Sequence, residues 1–466
     1  MVILIYVKKD TIIKRKKDNA RLYPLYKMLS FDLLCYYAIS FLFLTITKGF
    51  SYAEVLLIES CLPLIKATLQ MPTYLFINKI GKKNTLVIGN FLTIIYLLQV
   101  MMCNSLTSLI VAVVILAIGV TFKDMTASNI LYESLNTKEG KGMYSLQEER
   151  GLYYYYFLDA LLAVFTGFLF VINPYYPLTM SVIFAILAFL VSLLFRELNI
   201  TEKVLKKQEK NNIKINEIKN DIKNKKNITK RKIKNIFSIV NMQDIIKSVE
   251  FILKSKRLRS LFLFGAVFSS FTYVFSVLRR AMLASINIEP EYFSIIFAIL
   301  IFTGGISTLN INKTKKYLGR NILSILLVIT IICGFLSGIV YITSINIITK
   351  TIILFILFLI QYICISPYSS LMEKYLKSFS KIKTRGKIKA IYNIIIYLFQ
   401  AIVTFIASYI LGYLNICSVV LIITVIYIIL GIFISKYTED KLGLNPEEYN
   451  TNDIEILNTK IKNKIN

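Results

Sequence analysis

Apolar runs of about 20 residues recur from one end of this chain to the other, and each is the length one helix needs to cross a bilayer. They fall at about 26–47, 52–77, 86–103, 106–132, 152–172 and 178–195, then at 258–286, 292–311, 321–343, 349–372, 388–414 and 417–435. A chain that is 56% hydrophobic and patterned in this way is an integral membrane protein. Short polar turns separate the runs. Asn173-Pro174 and Pro177 mark one of them.

The formal charge of +28 invites a nucleic-acid reading, but the basic residues stand in loops between apolar runs and lack aromatic interleaving. Loops after even-numbered runs hold Lys79, Lys82 and Lys83, then Lys138, Lys141 and Arg150, then Lys313 to Arg320, then Lys374 to Lys389. Loops after odd-numbered runs hold little beyond Lys48 and Lys350. Basic loops stay in the cytoplasm, so both termini are expected there, with an even number of crossings: twelve in a cell (inner) membrane. No cleaved signal peptide is expected. The bilayer and a small-molecule substrate are the expected partners, with no nucleic acid and a monomeric chain.

Five regions follow: a basic cytoplasmic N-terminus at 1–23, a six-helix bundle at 24–196, a Lys-rich cytoplasmic linker ending in an amphipathic helix at 197–256, a second bundle at 257–436 and a polar tail at 437–466. The halves look duplicated. Gly81 and Gly319, Glu133 and Glu373, and Arg150 and Arg385 stand at almost the same offset, each at the foot of an apolar run.

Several chemistries are excluded. Histidine is absent and the six cysteines lie singly inside apolar runs, so no metal site, disulfide framework or Ser-His hydrolase is suggested. No GxxxxGK[ST] occurs, so ATP does not drive this chain, and no cofactor is expected.

The turn between the second and third runs, PTYLFINKIGKKNTLVIG, resembles the loop signature of the major facilitator superfamily, Gly-x-x-x-Asp-Arg-x-Gly-Arg-Arg/Lys. Gly81, Lys82 and Lys83 match it, while Asn78 replaces the Asp, Lys79 the Arg and Tyr74 the first Gly. The segments 51–60 and 129–135 resemble a bacterial subgroup of multidrug-type permeases. The resemblance implies an all-α fold of twelve transmembrane helices in two pseudo-symmetric six-helix bundles. Runs 1, 4, 7 and 10 would line a cavity and 2, 5, 8 and 11 would flank it. It also implies gating by loop charges: Asn78, Lys79, Gly81, Lys82, Lys83, Glu133, Arg150, Glu373 and Arg385. An uncharged Asn78 implies a weaker inner gate, or compensation by Glu133. The fifth run lacks the glycine-proline motif frequent in drug/proton antiporters, which counts against that mechanism.

Charged residues inside the runs are the candidates for substrate or ion coupling, because each costs about 2.5–3.5 kcal/mol at a helix centre unless it meets a cavity or a partner. Asp32, one turn into the first run, reads as a proton site or as a carboxylate favoured by a helix N-terminus. Lys123 and Asp124 point about 100° apart, so one is expected toward the cavity and the other toward a neighbouring helix. Asp159, at similar depth, is a candidate partner for Lys123. Glu59 and Lys66, seven apart, need separate partners. Arg279 and Arg280 sit near the outer end of the seventh run, as an anion site or outer gate, or as chains snorkelling to headgroups. Gln99, Gln361 and Gln400 read as inter-helix hydrogen bonds, and Tyr153–Tyr156 as an interfacial belt.

The expected function is a secondary transporter exporting small amphipathic compounds, coupled to an ion gradient, with protons the candidate ion. The alternatives are uptake or exchange of an anionic solute, and a non-transporting receptor or scaffold that uses the linker. A membrane enzyme is not expected.

Overall fold

The computed structural model describes residues 2–135, 141–198, 256–310, 322–379 and 385–442. The Lys-rich linker from 199 to 255, the second loop copy with Gly319 and Arg320, and the tail from 443 lie outside the described residues.

Among the described residues, twelve long helices carry the fold. The first six are α1 (Val2–Ser30), α2 (Tyr52–Ile80), α3 (Lys82–Met102), α4 (Leu106–Ser134), α5 (Lys141–Ile172) and α6 (Tyr176–Leu194). The second six are α7 (Lys256–Ser285), α8 (Pro290–Leu309), α9 (Ile322–Ile342), α10 (Ile347–Phe379), α11 (Arg385–Leu411) and α12 (Ile416–Leu442). Ten of them, α3 to α12, are long and apolar enough to cross a membrane. The other two crossings are α2, which carries Glu54, Glu59, Lys66 and Lys79, and the first span, which is broken.

That break corrects the expectation of a continuous helix over 26–47. α1 begins at Val2, passes through the boundary expected at 23, and stops at Ser30; a short helix at Ser40–Leu42 then runs into a π-helical turn at Phe43–Thr47. Asp32 helps to stop it, because its carboxylate accepts from the Leu33 amide at 2.8 Å and so competes with the helical pattern. Cys35 sits at φ 64°, a conformation that costs a non-glycine residue about 1–3 kcal/mol. Asp32 therefore follows a helix C-terminus, not an N-terminus.

Local chemistry sets the other junctions. Ser51 and Glu54 close a reciprocal capping box that starts α2. Gly81 turns α2 into α3 at φ 101°, a value that side chains disfavour.

The halves repeat each other. In the first, α3 packs on α4 and α6, α1 on α5 and α6, and α2 on α4; in the second, α9 packs on α10 and α12, α7 on α11 and α12, and α8 on α10. Each contact recurs six helices on, which is what a duplicated bundle requires. Two long seams join the bundles, α2 along α11 and α5 along α8. The start of α1 and the end of α12 lie at the end that carries Lys82 and Lys83, called here the basic end. Its opposite is the far end.

Candidate functional site

The break in the first span leaves helix-terminal carbonyls without partners inside the bundle. Lys123 reaches one of them, its Nζ 3.4 Å from the Ser30 carbonyl, where the C-terminal end of the α1 dipole favours a cation. The placement depends on α3 and α4 lying almost in contact. A side chain at Gly89 would meet the Gly119 carbonyl at 2.8 Å and Lys123 Cγ at 3.1 Å, so small residues permit the approach. The irregular segment after Ser30 is tied down by Ser181, which donates to the Leu34 carbonyl at 2.7 Å.

Asp32, Ser30, Asn90, Thr93, Lys123 and Ser181 line one small cavity there. Lys123 is 6% exposed, whereas Asp32 is open to that space. Among the described residues no ion pair joins them. Asp159 does not pair with Lys123, as equal depth had suggested. It is buried and accepts a hydrogen bond from Tyr155, one turn earlier on the same helix, at 3.0 Å.

Lys123 and Asp124 diverge as adjacent helical positions must. Asp124 is 46% exposed and pairs with Lys66 of α2 at 3.1 Å. Lys66 also lies 4.6 Å from the Tyr397 ring centre, so this cation touches α11 of the other bundle.

Arg279 and Arg280 do not snorkel. They are 1% and 2% exposed, because the fold encloses α7 between the bundles. Arg280 reaches across the interface: Nη2 donates to Glu59 at 3.1 Å and Nη1 to Ser40 at 2.8 Å, with the Tyr37 ring at 4.6 Å. Tyr273 adds a bond to the Glu59 carbonyl at 2.8 Å. Ser408 of α11 donates to the Ala53 carbonyl at 2.7 Å, nearer the far end. The hydrogen bonds on Glu59, Ser40 and Ala53 cross between bundles in this far half, and the Lys66 contact with Tyr397 crosses nearer the middle. Arg279 turns into its own bundle, toward Gln361 at 3.3 Å.

At the basic end Lys82 pairs with Glu133 and the Lys83 amide donates to Glu197 at 2.7 Å. Lys27 pairs with Glu148 at 3.5 Å, which also accepts from Tyr23 at 2.6 Å. Lys79 and Arg150 are exposed. Asn78 lies in the last turn of α2, Glu373 in α10 and Arg385 at the start of α11; their side chains lie outside the described residues.

The role of Glu59 as the cross-bundle anion went unread in the sequence, although its need for a partner other than Lys66 was visible. Glu148 and Glu197 were also missed. The signal for Glu197 is a lone acid beside Arg196 at the foot of an apolar run, and Glu148 stands in the Glu-Glu-Arg that opens the next one. Gln361 donates to the Thr330 carbonyl at 2.9 Å, Gln400 to Ser269 at 2.7 Å and Gln99 to the Ser108 carbonyl at 3.4 Å, each between helices. The tyrosine run divides by helical phase: Tyr153 and Tyr154 are exposed, Tyr155 is buried and Tyr156 packs on Gly305 of α8. Among the described residues no group of His, Cys, Asp and Glu is placed to hold a metal ion.

The overall arrangement is similar to solved transporter structures. The nucleoside transporter NupG shares 13% identity at a TM-score of 0.61, over 91% of this chain and 98% of that one. A D-xylose-proton symporter shares 12% at 0.61, over 93% and 99%. A POT family transporter in complex with 5-aminolevulinic acid shares 14% at 0.58, over 92% and 96%. At such identities the likeness is one of fold. A search of curated proteins found no match. The model of the Major Facilitator Superfamily matches residues 28–355. The match reaches the family and not the multidrug-type subgroup. With two six-helix bundles in register and a family match over most of its length, the chain belongs to the major facilitator superfamily.

Proposed function

We propose that this member of the family carries a small solute by alternating access, with the basic end in the cytoplasm of a cell membrane and the far end outside. The observation that carries this reading is the far-half clustering of cross-bundle bonds, with Arg280–Glu59 at their centre. These bonds close the outer side and must break for it to open. Lys82–Glu133 ties α3 to α4 within the first bundle at the cytoplasmic side. It supplies the negative charge that Asn78 lacks.

Coupling falls to the broken first helix. Broken helices place backbone and charge at mid-membrane where an ion or substrate binds. Asp32, open to a cavity that it shares with buried Lys123, is the proton-accepting group of this proposal. Proton uptake there would loosen its attraction to Lys123 and thereby the helix end that Lys123 holds.

The direction we propose is export of small amphipathic compounds, on the likeness of segments 51–60 and 129–135 to multidrug-type permeases. The test is ethidium accumulation in proteoliposomes with an acidic lumen. Accumulation that a protonophore abolishes, and that Asp32→Asn loses, is expected. Accumulation that is independent of the gradient removes proton coupling. Uptake or exchange of an anionic solute is the second reading, favoured by the burial of Arg279 away from any headgroup.

A further inference from the structure

Arg279 is a cation enclosed in the membrane part of the molecule without a carboxylate beside it. Glu59, the acid nearest in role, is taken by Arg280. Among the described residues no ion pair reaches Arg279, and it is 1% exposed. A guanidinium carries five N–H donors. Here Nη2 donates to Gln361 at 3.3 Å and Nε has no acceptor at all. The rings of Phe275, Phe358 and Tyr362 stand 5.8, 5.3 and 4.7 Å from it. These rings hold a cation in place by their faces, and Tyr362 also hydrogen-bonds to it, but none of them neutralises it and Nε stays without an acceptor.

The surroundings are fixed in advance. Gln361 donates to the Thr330 carbonyl at 2.9 Å, which turns its amide oxygen toward Arg279 and holds it there. Arg279 sits between α7 and α10, beside the residue that makes the cross-bundle closure. Opening the closure at Arg280 would therefore uncover Arg279. A planar guanidinium with free in-plane donors fits a carboxylate or phosphate by paired hydrogen bonds.

We propose that Arg279 is the anchor for a carboxylate or phosphate on the transported solute, with Gln361 and Tyr362 setting its orientation. The inference rests on the second transporter reading, carriage of an anionic solute, and names the group that would hold the solute's charge. The cargo's charge would neutralise Arg279 while the bundles rearrange, which ties occupancy to the closure next door.

The test is thermal unfolding of the purified full chain in non-ionic detergent, with succinate, inorganic phosphate or glucose at matched ionic strength. Succinate or phosphate is expected to raise the midpoint and glucose to leave it unmoved. Arg279→Gln should weaken the anion response about tenfold or more. Gln361→Glu brings a carboxylate to Arg279 from within. It should raise the midpoint without any added anion and remove the response to succinate, a result that a purely structural arginine does not give. It also serves as the test if Arg279→Gln does not fold. A wild-type protein that neither anion stabilises overturns the inference, as does an undiminished response in Arg279→Gln or Gln361→Glu. Stabilisation by phosphatidylglycerol alone, with none from the soluble anions, assigns Arg279 to a lipid headgroup and also overturns it. If spin-label distances across the far end still change in Glu59→Gln while no anion acts, only the anionic cargo is lost. If those distances never change, the transporter reading itself is lost.

Discussion

Arg280 and Glu59 lie 221 positions apart in the chain and 3.1 Å apart in space, one from each bundle. Arg280 is 2% exposed there and Glu59 24%. Removing one partner of a buried pair strands the other charge, at a cost of about 3–5 kcal/mol. Glu59→Gln and Arg280→Gln are each expected to lower the thermal midpoint in detergent clearly. The double exchange Glu59→Arg with Arg280→Glu should recover part of the loss. Single variants as stable as the parent would show that the pair does not hold the bundles together.

Asp32→Asn should keep substrate exchange down its own gradient and lose acceleration by an imposed pH gradient. The carboxylate is open to the cavity, and its amide replacement still accepts from the Leu33 amide, so the break is preserved. Counterflow and gradient-driven flux in the same vesicles separate the two. Loss of both together would make Asp32 a structural group.

Gly89 and Gly119 set the distance between α3 and α4. Gly89→Leu puts a side chain where the Gly119 carbonyl and Lys123 Cγ now stand, and overpacking of this kind costs about 1–3 kcal/mol or more. A lower midpoint and a reduced yield of monodisperse protein are expected by size-exclusion chromatography. Gly49, where an added Cβ would meet nothing within 4 Å, is the control. It has φ 75°, so Gly49→Asn is the substitution of choice.

The Lys82–Glu133 pair is partly open to solvent, at 15% and 27% exposure. Pairs of this kind contribute about 0–1 kcal/mol. Glu133→Gln should therefore leave the midpoint almost unchanged and act on rate, by freeing Lys82 at the turn that joins α2 to α3. A large loss of stability would place Glu133 in the packing of the bundle instead.

Helix boundaries were legible wherever an apolar run ended in charge or at a turn residue. α3, α4, α8 and α9 lie within a few residues of the expected limits for that reason. The break in the first span was not legible, since Phe31-Asp32-Leu33 sits inside continuous apolar sequence. What holds it comes from far along the chain: Ser181 on the Leu34 carbonyl and Lys123 on the Ser30 carbonyl. Depth along a helix was readable, but rotation about its axis was not. That is why Lys123 and Asp159 looked like partners and are not. The same limit hid Arg280–Glu59, where the sequence showed two groups in need of partners without showing that they meet.

Spin labels at Ala53 and Ser408, in a background without the six native cysteines, test the closure most directly, since these residues touch across the far end. The expected result is one short distance in the parent and a second, longer one that Glu59→Gln populates. A single short distance, unchanged by Glu59→Gln, by pH or by added solute, would contradict alternating access through this interface.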